Sequence, residues 1–368
     1  MPLSVLAQEE DTLRNEFRFS GQLSGWTGFN PDTDTKVWLG ARYIPQLNYA
    51  LNFRKERKLD FEGSANIFGD IGFAAIDDIS ADGNIKPYRL WARYSTAQSE
   101  LRVGLQKLNF GSAQIFRPLM WFDTMDPRDP LQMTDGVWGV LFRYYFLNNA
   151  NIWIWGLGGN SDRRGFDQYG TGGKIAPEAG GRVQLPFKSA EAGLSYNFRE
   201  ADIAPLATGM VKAPEHKAGF DVRADVTVGL WLEASWTHYA RDMGEVTNQQ
   251  MATLGIDYTF GIGNGLGVTA EHMLYVHGQK AFRADRSVNF SGVSLSYPLT
   301  LFDNISAVVY YDWANRNVYS FVNWHRQLNA LSFYVMAFWN PKTGAMPGQS
   351  DFGMFSGKGL QVMLVWNH

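Results

Sequence analysis

Residues 37–53 read VWLGARYIPQLNYALNF. Val37, Leu39, Ala41, Tyr43, Pro45, Leu47, Tyr49, Leu51 and Phe53 fall on one side of an extended chain, with Trp38, Arg42, Gln46, Asn48 and Asn52 on the other. Strand side chains alternate between faces, so the spacing predicts one long strand, apolar on one face only. The pattern recurs. Phe220, Val222, Ala224 and Val226 alternate with Asp221, Arg223, Asp225 and Thr227, and Leu360, Val362, Leu364 and Trp366 with Gln361, Met363 and Val365. About 18 such runs lie between Asn15 and the end, most near the roughly 9–11 residues that a tilted strand needs to cross a bilayer. Helical spacing is hard to find anywhere, and no Gly/Pro/Ser linker divides the chain, so residues 9–368 read as one domain.

The connections alternate in length. Long polar gaps fall at 30–35, 78–84, 112–136, 160–180, 202–216, 241–247, 278–287 and 341–358, with tight ones between them at 97–100, 148–149, 188–189, 228–229, 261–264 and 327–329. The charged turn at 54–58 and the short loop at 314–317 fit less well. Long external loops alternating with short periplasmic turns are the signature of an outer-membrane barrel, and a soluble sandwich has no reason to show them.

Composition narrows the class. The 368 residues contain no cysteine, which removes disulfide scaffolds, thiolate zinc sites and cysteine nucleophiles. A net charge of −3 argues against nucleic-acid binding. No stretch approaches the roughly 18–20 apolar residues of a membrane helix, and the mean hydropathy is −0.24. Neither observation excludes a barrel, whose lumen-facing half dilutes the signal. Residues 1–8 (MPLSVLAQ) resemble the tail of a secretory signal, with a frayed terminus as the alternative.

The expected fold is an all-β transmembrane antiparallel barrel of about 18 strands. It must close, because each unpaired backbone group in lipid costs several kcal/mol. Tyr43, Tyr94, Tyr144, Tyr196, Tyr258, Tyr297, Tyr311 and Trp366 fall on the lipid face as a candidate interfacial girdle. Lys107 is an exception, since the register of Leu101, Val103 and Leu105 carries it outward.

Alternation then assigns the lumen. The first eight strands point Arg18, Arg42, Arg89, Arg93, Arg102, Arg143 and Arg182 inward, and strands nine to fifteen point Glu191, Asp221, Asp225, Glu233, Asp257, Glu271 and Asp312 inward. Asp60, Glu62, Asp70, Arg199 and Arg223 break the division. Opposed charge rows predict a transverse field that orients dipolar or anionic solutes. The alternative is that they pair across a narrow lumen and hold its shape.

In strands six and seven Val137, Leu141, Tyr145, Ile152 and Ile154 read as apolar on the wet face. The preceding segment 112–136 carries Ile115, Leu119, Met120, Trp121 and Phe122. It is expected to fold into the lumen and cover that wall, leaving Arg117, Asp123, Asp126, Arg128 and Asp129 at a constriction.

Residues 102–130 read RVGLQKLNFGSAQIFRPLMWFDTMDPRDP. The stretch resembles the R-x-G-x-Q segment and Asp-Pro-rich loop of alginate-export-type outer-membrane channels, through Arg102, Gly104, Gln106, Asn109, Gly111, Pro118, Asp126, Pro127 and Asp129. The resemblance implies an arginine-rich bore of about 18 strands that passes an anionic polysaccharide. Phe110 stands where Trp is commoner and Leu105 where Arg is common.

No catalytic or metal site is expected. Six histidines are scattered without H-E-x-x-H, and no G-x-S-x-G occurs. The acidic residues of the loop suit turns better than calcium. The sequence therefore predicts a cofactor-free passive channel for small polar, anionic or saccharide-like solutes, in contact with the lipid of a Gram-negative outer membrane. The alternatives are a soluble polysaccharide-active β enzyme and a non-conducting adhesin or assembly barrel.

Overall fold

The computed structural model describes residues 15–53, 56–75, 78–169, 176–203, 211–342 and 353–368. The signal-like segment 1–8 lies outside them. The strands are β1 (Glu16–Phe29), β2 (Val37–Phe53), β3 (Arg57–Phe73), β4 (Ile79–Ser95), β5 (Ser99–Gln106), β6 (Val137–Tyr145), β7 (Asn151–Leu157), β8 (Glu178–Pro186) and β9 (Ala190–Ile203). They continue as β10 (Val211–Asp225), β11 (Gly229–Tyr239), β12 (Asn248–Phe260), β13 (Leu266–Gly278), β14 (Arg286–Pro298), β15 (Asp303–Asp312), β16 (Asn317–Leu328), β17 (Leu331–Trp339) and β18 (Lys358–Asn367).

Each strand pairs antiparallel with its sequence neighbours, and β1 pairs with β18 from Gln22↔Asn367 to Phe29↔Leu360. The 18-stranded sheet is thus one closed ring, not two stacked layers. Connections after odd-numbered strands gather at one end and those after even-numbered strands at the other. The connection between β2 and β3 and the short loop 313–316 fall into this alternation. The turn end is the periplasmic side in barrels of this kind.

Register separates the faces as the alternation predicts. Phe19, Leu47, Leu101, Leu194, Leu254, Val309 and Leu364 stand exposed on the outside. The eight girdle aromatics share that face, and Tyr94, Tyr144, Tyr258, Tyr297 and Trp366 lie within two residues of the turn end of their strands. Such a surface is stable only in lipid. Leu254, 63% exposed at the middle of β12, tests this. Leu254→Arg is expected to lower stability by roughly 2–4 kcal/mol in vesicles. Urea unfolding in bilayers measures it, and a neutral result excludes lipid contact there.

Three expectations are corrected. Ile152 and Ile154 face outward. Arg143↔Trp153 and Leu141↔Trp155 pairing turns Trp153, Trp155 and Leu157 inward instead. Lys107 is not in a strand, because β5 ends at Gln106, so the inward-turning segment runs over 107–136. β4 begins at Ile79, inside the gap expected at 78–84. A bulge in β4 sets Tyr88 between the pairs Ser64↔Arg89 and Ala65↔Pro87. It lets Lys86 and Arg89 share the inner face despite their odd spacing.

Candidate functional site

The segment 107–136 crosses the inside of the barrel. Phe110, Leu119, Trp121 and Phe122 pack on Val137, Leu141, Trp155 and Leu157 of β6 and β7. Ile115 and Phe116 leave that wall and pack on Met251, Met273, Phe290 and Tyr310 of β12–β15. Leu131 meets Tyr334, Met363, Val365 and Trp26. The apolar wall of β6–β7 is therefore covered, and the same segment touches three sides of the bore.

Two carboxylates hold it. Glu233 Oε2 accepts the Ala113 N–H at 2.8 Å and Oε1 the Leu119 N–H at 2.7 Å. Glu271 accepts the N–H groups of Gln114 (2.6 Å), Ile115 (3.0 Å) and Phe116 (2.6 Å), and the Trp231 indole at 3.0 Å. Both are buried, Glu233 at 0% and Glu271 at 3% exposure. Charge-assisted bonds to buried donors are the strong kind. Gly111 makes the approach possible: its φ is +105°, and a Cβ would stand 2.4 Å from the Glu233 carboxylate. At Gly104 (φ +122°) a Cβ would stand 2.1 Å from the Leu90 carbonyl oxygen. Both glycines of the motif thus serve close backbone approach.

The acidic row consequently divides. Glu233 and Glu271 bind the loop and do not line open water. Asp221 is buried in a two-bond pair with Arg182, at 2.6 and 3.0 Å, and accepts from Ser112 Oγ at 3.3 Å. Asp225 and Asp257 remain partly open near the turn end, clasping Arg223 at 2.9 and 3.0 Å. Glu191 faces inward in the same region and Asp312 is buried at the loop end of β15.

The loop's own charges are also internally spent. Arg117 and Asp123 form a buried pair at 2.9 and 3.2 Å. Asp126 holds the Arg128 guanidinium, which lies over Phe321 and Phe355. Asp129 accepts the Leu131 and Met133 N–H groups, and burial pushes its carboxyl up against those two bonds. These are turn-forming uses of Asp. Among the described residues no cluster of three or more His, Asp or Glu forms a metal site.

The wall formed by β3–β6 is basic toward the turn end, whereas Asp225, Asp257 and Glu191 leave the β9–β12 side acidic there. Arg93, Arg102 and Arg143 sit on β4–β6 toward the turn end and converge on Glu100, at 3.6, 2.9 and 3.8 Å. Arg93 also grips Asp60 through two bonds of 2.8 Å. Trp91 lies under Arg93 and Arg102, and Trp153 lies 3.8 Å from Arg143. Arg89 donates to the Tyr88 and Thr134 carbonyls and ties the end of the loop to β4. Arg42 stacks on Trp26 and Phe68, and Arg18 is exposed near the turn end of β1. On this wall Lys58, Arg89, Arg93, Arg102 and Arg143 outnumber Asp60, Glu62 and Glu100. About half-way round the sheet, β14–β16 present Ser294, Ser296, Asn304, Ser306 and Asn323 at a similar depth. The sequence reading missed Glu100, although its parity with Arg102 marks it as inward.

A second segment, 158–169, also turns in. Asp167 pairs with Arg199 at 2.9 Å and with Lys217, both of which bind Glu215, and Arg164 pairs with Glu178 at 2.7 Å. Burial pushes the Asp167 carboxyl up, but the Arg199 and Lys217 charges outweigh it and hold it below the usual carboxylate range. Arg199, a basic exception among acidic strands, is thus part of a latch.

No protein-family model matches the sequence, and no curated protein matches it. Solved structures do. OccAB4 of Acinetobacter baumannii superposes with a TM-score of 0.59 at 10% identity, over 97% of this chain and 99% of that one. OccK7 (OpdD) of Pseudomonas aeruginosa gives 0.57 at 9% identity, over 96% and 98%. Wzi of Escherichia coli, an outer-membrane protein involved in group 1 capsule assembly and described as a carbohydrate-binding β-barrel, gives 0.54 at 12% identity, over 94% and 83%. At such identities the likeness concerns the fold, which is that of a closed outer-membrane β-barrel. With its apolar belt, that fold locates the chain in the outer membrane of a Gram-negative bacterium.

Proposed function

We propose that the chain is a passive channel for small polar solutes and favours anionic, hydroxyl-bearing ones, saccharides included. The observation that carries this is the basic excess on the β3–β6 wall at the turn side, facing the hydroxyls and amides of β14–β16. A cationic, partly desolvated lining raises the local concentration of anions, and serines and asparagines bind hydroxyls without selecting charge. The description of Wzi as carbohydrate binding is in keeping with such solutes. Kinship with alginate-export-type channels is a finer form of the proposal, resting on Arg102, Gly104, Gln106 and Gly111. No residue is assigned a catalytic role and no cofactor is invoked.

The crossing of 107–136 from wall to wall favours a second reading, a barrel that conducts nothing. Planar-bilayer recording of the full chain decides between them. The channel reading expects discrete conductance steps and a reversal potential shifted toward the anion in a potassium chloride gradient. Cation preference would overturn the role given to the arginines, and silence would favour the second reading.

A further inference from the structure

β4 outruns one of its neighbours. It pairs with β3 from Lys58↔Ser95 to Phe73↔Ile79, but with β5 only from Leu90↔Leu105 to Ser95↔Glu100, because the chain leaves the sheet after Gln106. β2 covers the far side of β3 as far as Val37↔Phe73. Residues 79–85 (ISADGNI) therefore form an open sheet edge, exposed at every position. Among the described residues no backbone hydrogen bond reaches them from any segment but β3. A tilted strand crosses a bilayer in roughly 9–11 residues. Counted from Tyr94 in the turn-side girdle, the membrane ends near Ile85, and the edge stands outside it on the loop side.

Ile79, Ala81, Gly83 and Ile85 share the outer face of this edge. The other face sets Asp82 directly opposite Asp70 of β3, and Asp78 precedes the strand. Like charges opposite one another in a sheet are destabilising. Lys86, the base next to them in sequence, is taken by Asp135 at 2.7 Å. The Gly83 N–H donates to Asp82 Oδ1 at 2.8 Å and so points away from β3. Because ladder bonds alternate along a strand, Ala81 presents its N–H to the same open side.

We infer that this edge docks an extended segment of a partner polypeptide in which basic and apolar residues alternate. The segment continues the sheet where β5 stops, through main-chain bonds to 79–85, as in strand addition generally. Its basic side chains meet Asp82 and the field of Asp70 and Asp78, and its apolar ones lie beside Ile79, Ala81 and Ile85. The charge also sets the choice of partner. Two copies paired through 79–85, antiparallel about their centre, set Asp82 against Asp82, so the edge disfavours a second copy of this chain. The site lies beside the mouth of the barrel and does not depend on conduction.

The test uses the refolded full chain in detergent and two labelled, end-blocked peptides of equal charge, Lys-Val-Lys-Val-Lys-Val-Lys and Lys-Val-Lys-Pro-Lys-Val-Lys. Fluorescence anisotropy is expected to show saturable binding of the first and binding about tenfold weaker of the second, whose proline interrupts a strand. Ala81→Pro removes an N–H from the open side, where a strand tolerates proline. It is expected to keep heat-modifiable migration and to weaken the first peptide about tenfold. Asp82→Asn, nearly the same in shape, is expected to weaken it severalfold, most at low salt. Should Ala81→Pro fail to fold, the peptide pair and Asp82→Asn decide. Four results overturn the inference: no saturation, equal affinity for the two peptides, wild-type affinity in the folded variants, or a wild-type dimer that Ala81→Pro returns to monomer while no peptide binds. The second assigns binding to charge alone, the third to the acidic residues of the lumen, and the last to a second copy. Conductance recorded on the same preparation reports separately on the channel.

Discussion

Glu233→Ala combined with Glu271→Ala is expected to raise single-channel conductance severalfold and to make the open level noisy. The two carboxylates accept the N–H groups of Ala113, Leu119, Gln114, Ile115 and Phe116. Each buried donor left without a partner costs roughly 1–3 kcal/mol. The loop recovers that loss by lifting away from β11 and β13 into water. The clusters around Phe110 and Phe116 oppose the release, so the effect should fall short of deleting 113–132, which sets the upper limit. Glutamine variants keep a carbonyl acceptor but lose the charge, and belong in between. Conductance in planar bilayers gives the order directly. If the deletion conducts as the wild type does, the segment is not what narrows the path.

Arg93→Gln, Arg102→Gln and Arg143→Gln together are expected to abolish anion preference and carry the reversal potential past zero. The turn-side wall holds Lys58, Arg89 and these three arginines against Asp60, Glu62 and Glu100. Three neutralisations leave the carboxylates in the majority. Screening limits the effect to about 10 Å at 0.1 M salt, so the shift should grow as ionic strength falls. Heat-modifiable migration separates selectivity from misfolding, because Arg93 and Arg102 also hold Asp60 and Glu100. An unchanged reversal potential in a folded triple variant would show that the ions pass elsewhere.

The alternation that starts at Val37 was enough to foresee eighteen strands, their inner and outer faces, and the placement of long and short connections, because a strand's parity is a local property and lipid demands closure. The reading weakened where the contrast between faces vanished. In β7 the run Ile152-Trp153-Ile154-Trp155 is apolar at every position, so parity left no mark, and only pairing with Arg143 and Leu141 shows that the tryptophans point inward. Lys107 was misplaced because nothing in its neighbourhood announces the end of β5; the chain leaves the sheet there to follow a buried route.

The uses of the charged residues were least legible. Glu233 and Glu271 look like any other inward carboxylates, and the amides they bind lie far away in sequence, so their part as anchors arises only when the barrel closes around its loop. Arg199, Lys217 and Asp167 likewise meet only where β9, β10 and the second inward segment come together. Period and turn spacing, being local, were written in the chain itself. Which polar groups stay wet and which become ties depended on long-range burial, and that the folded barrel alone decided.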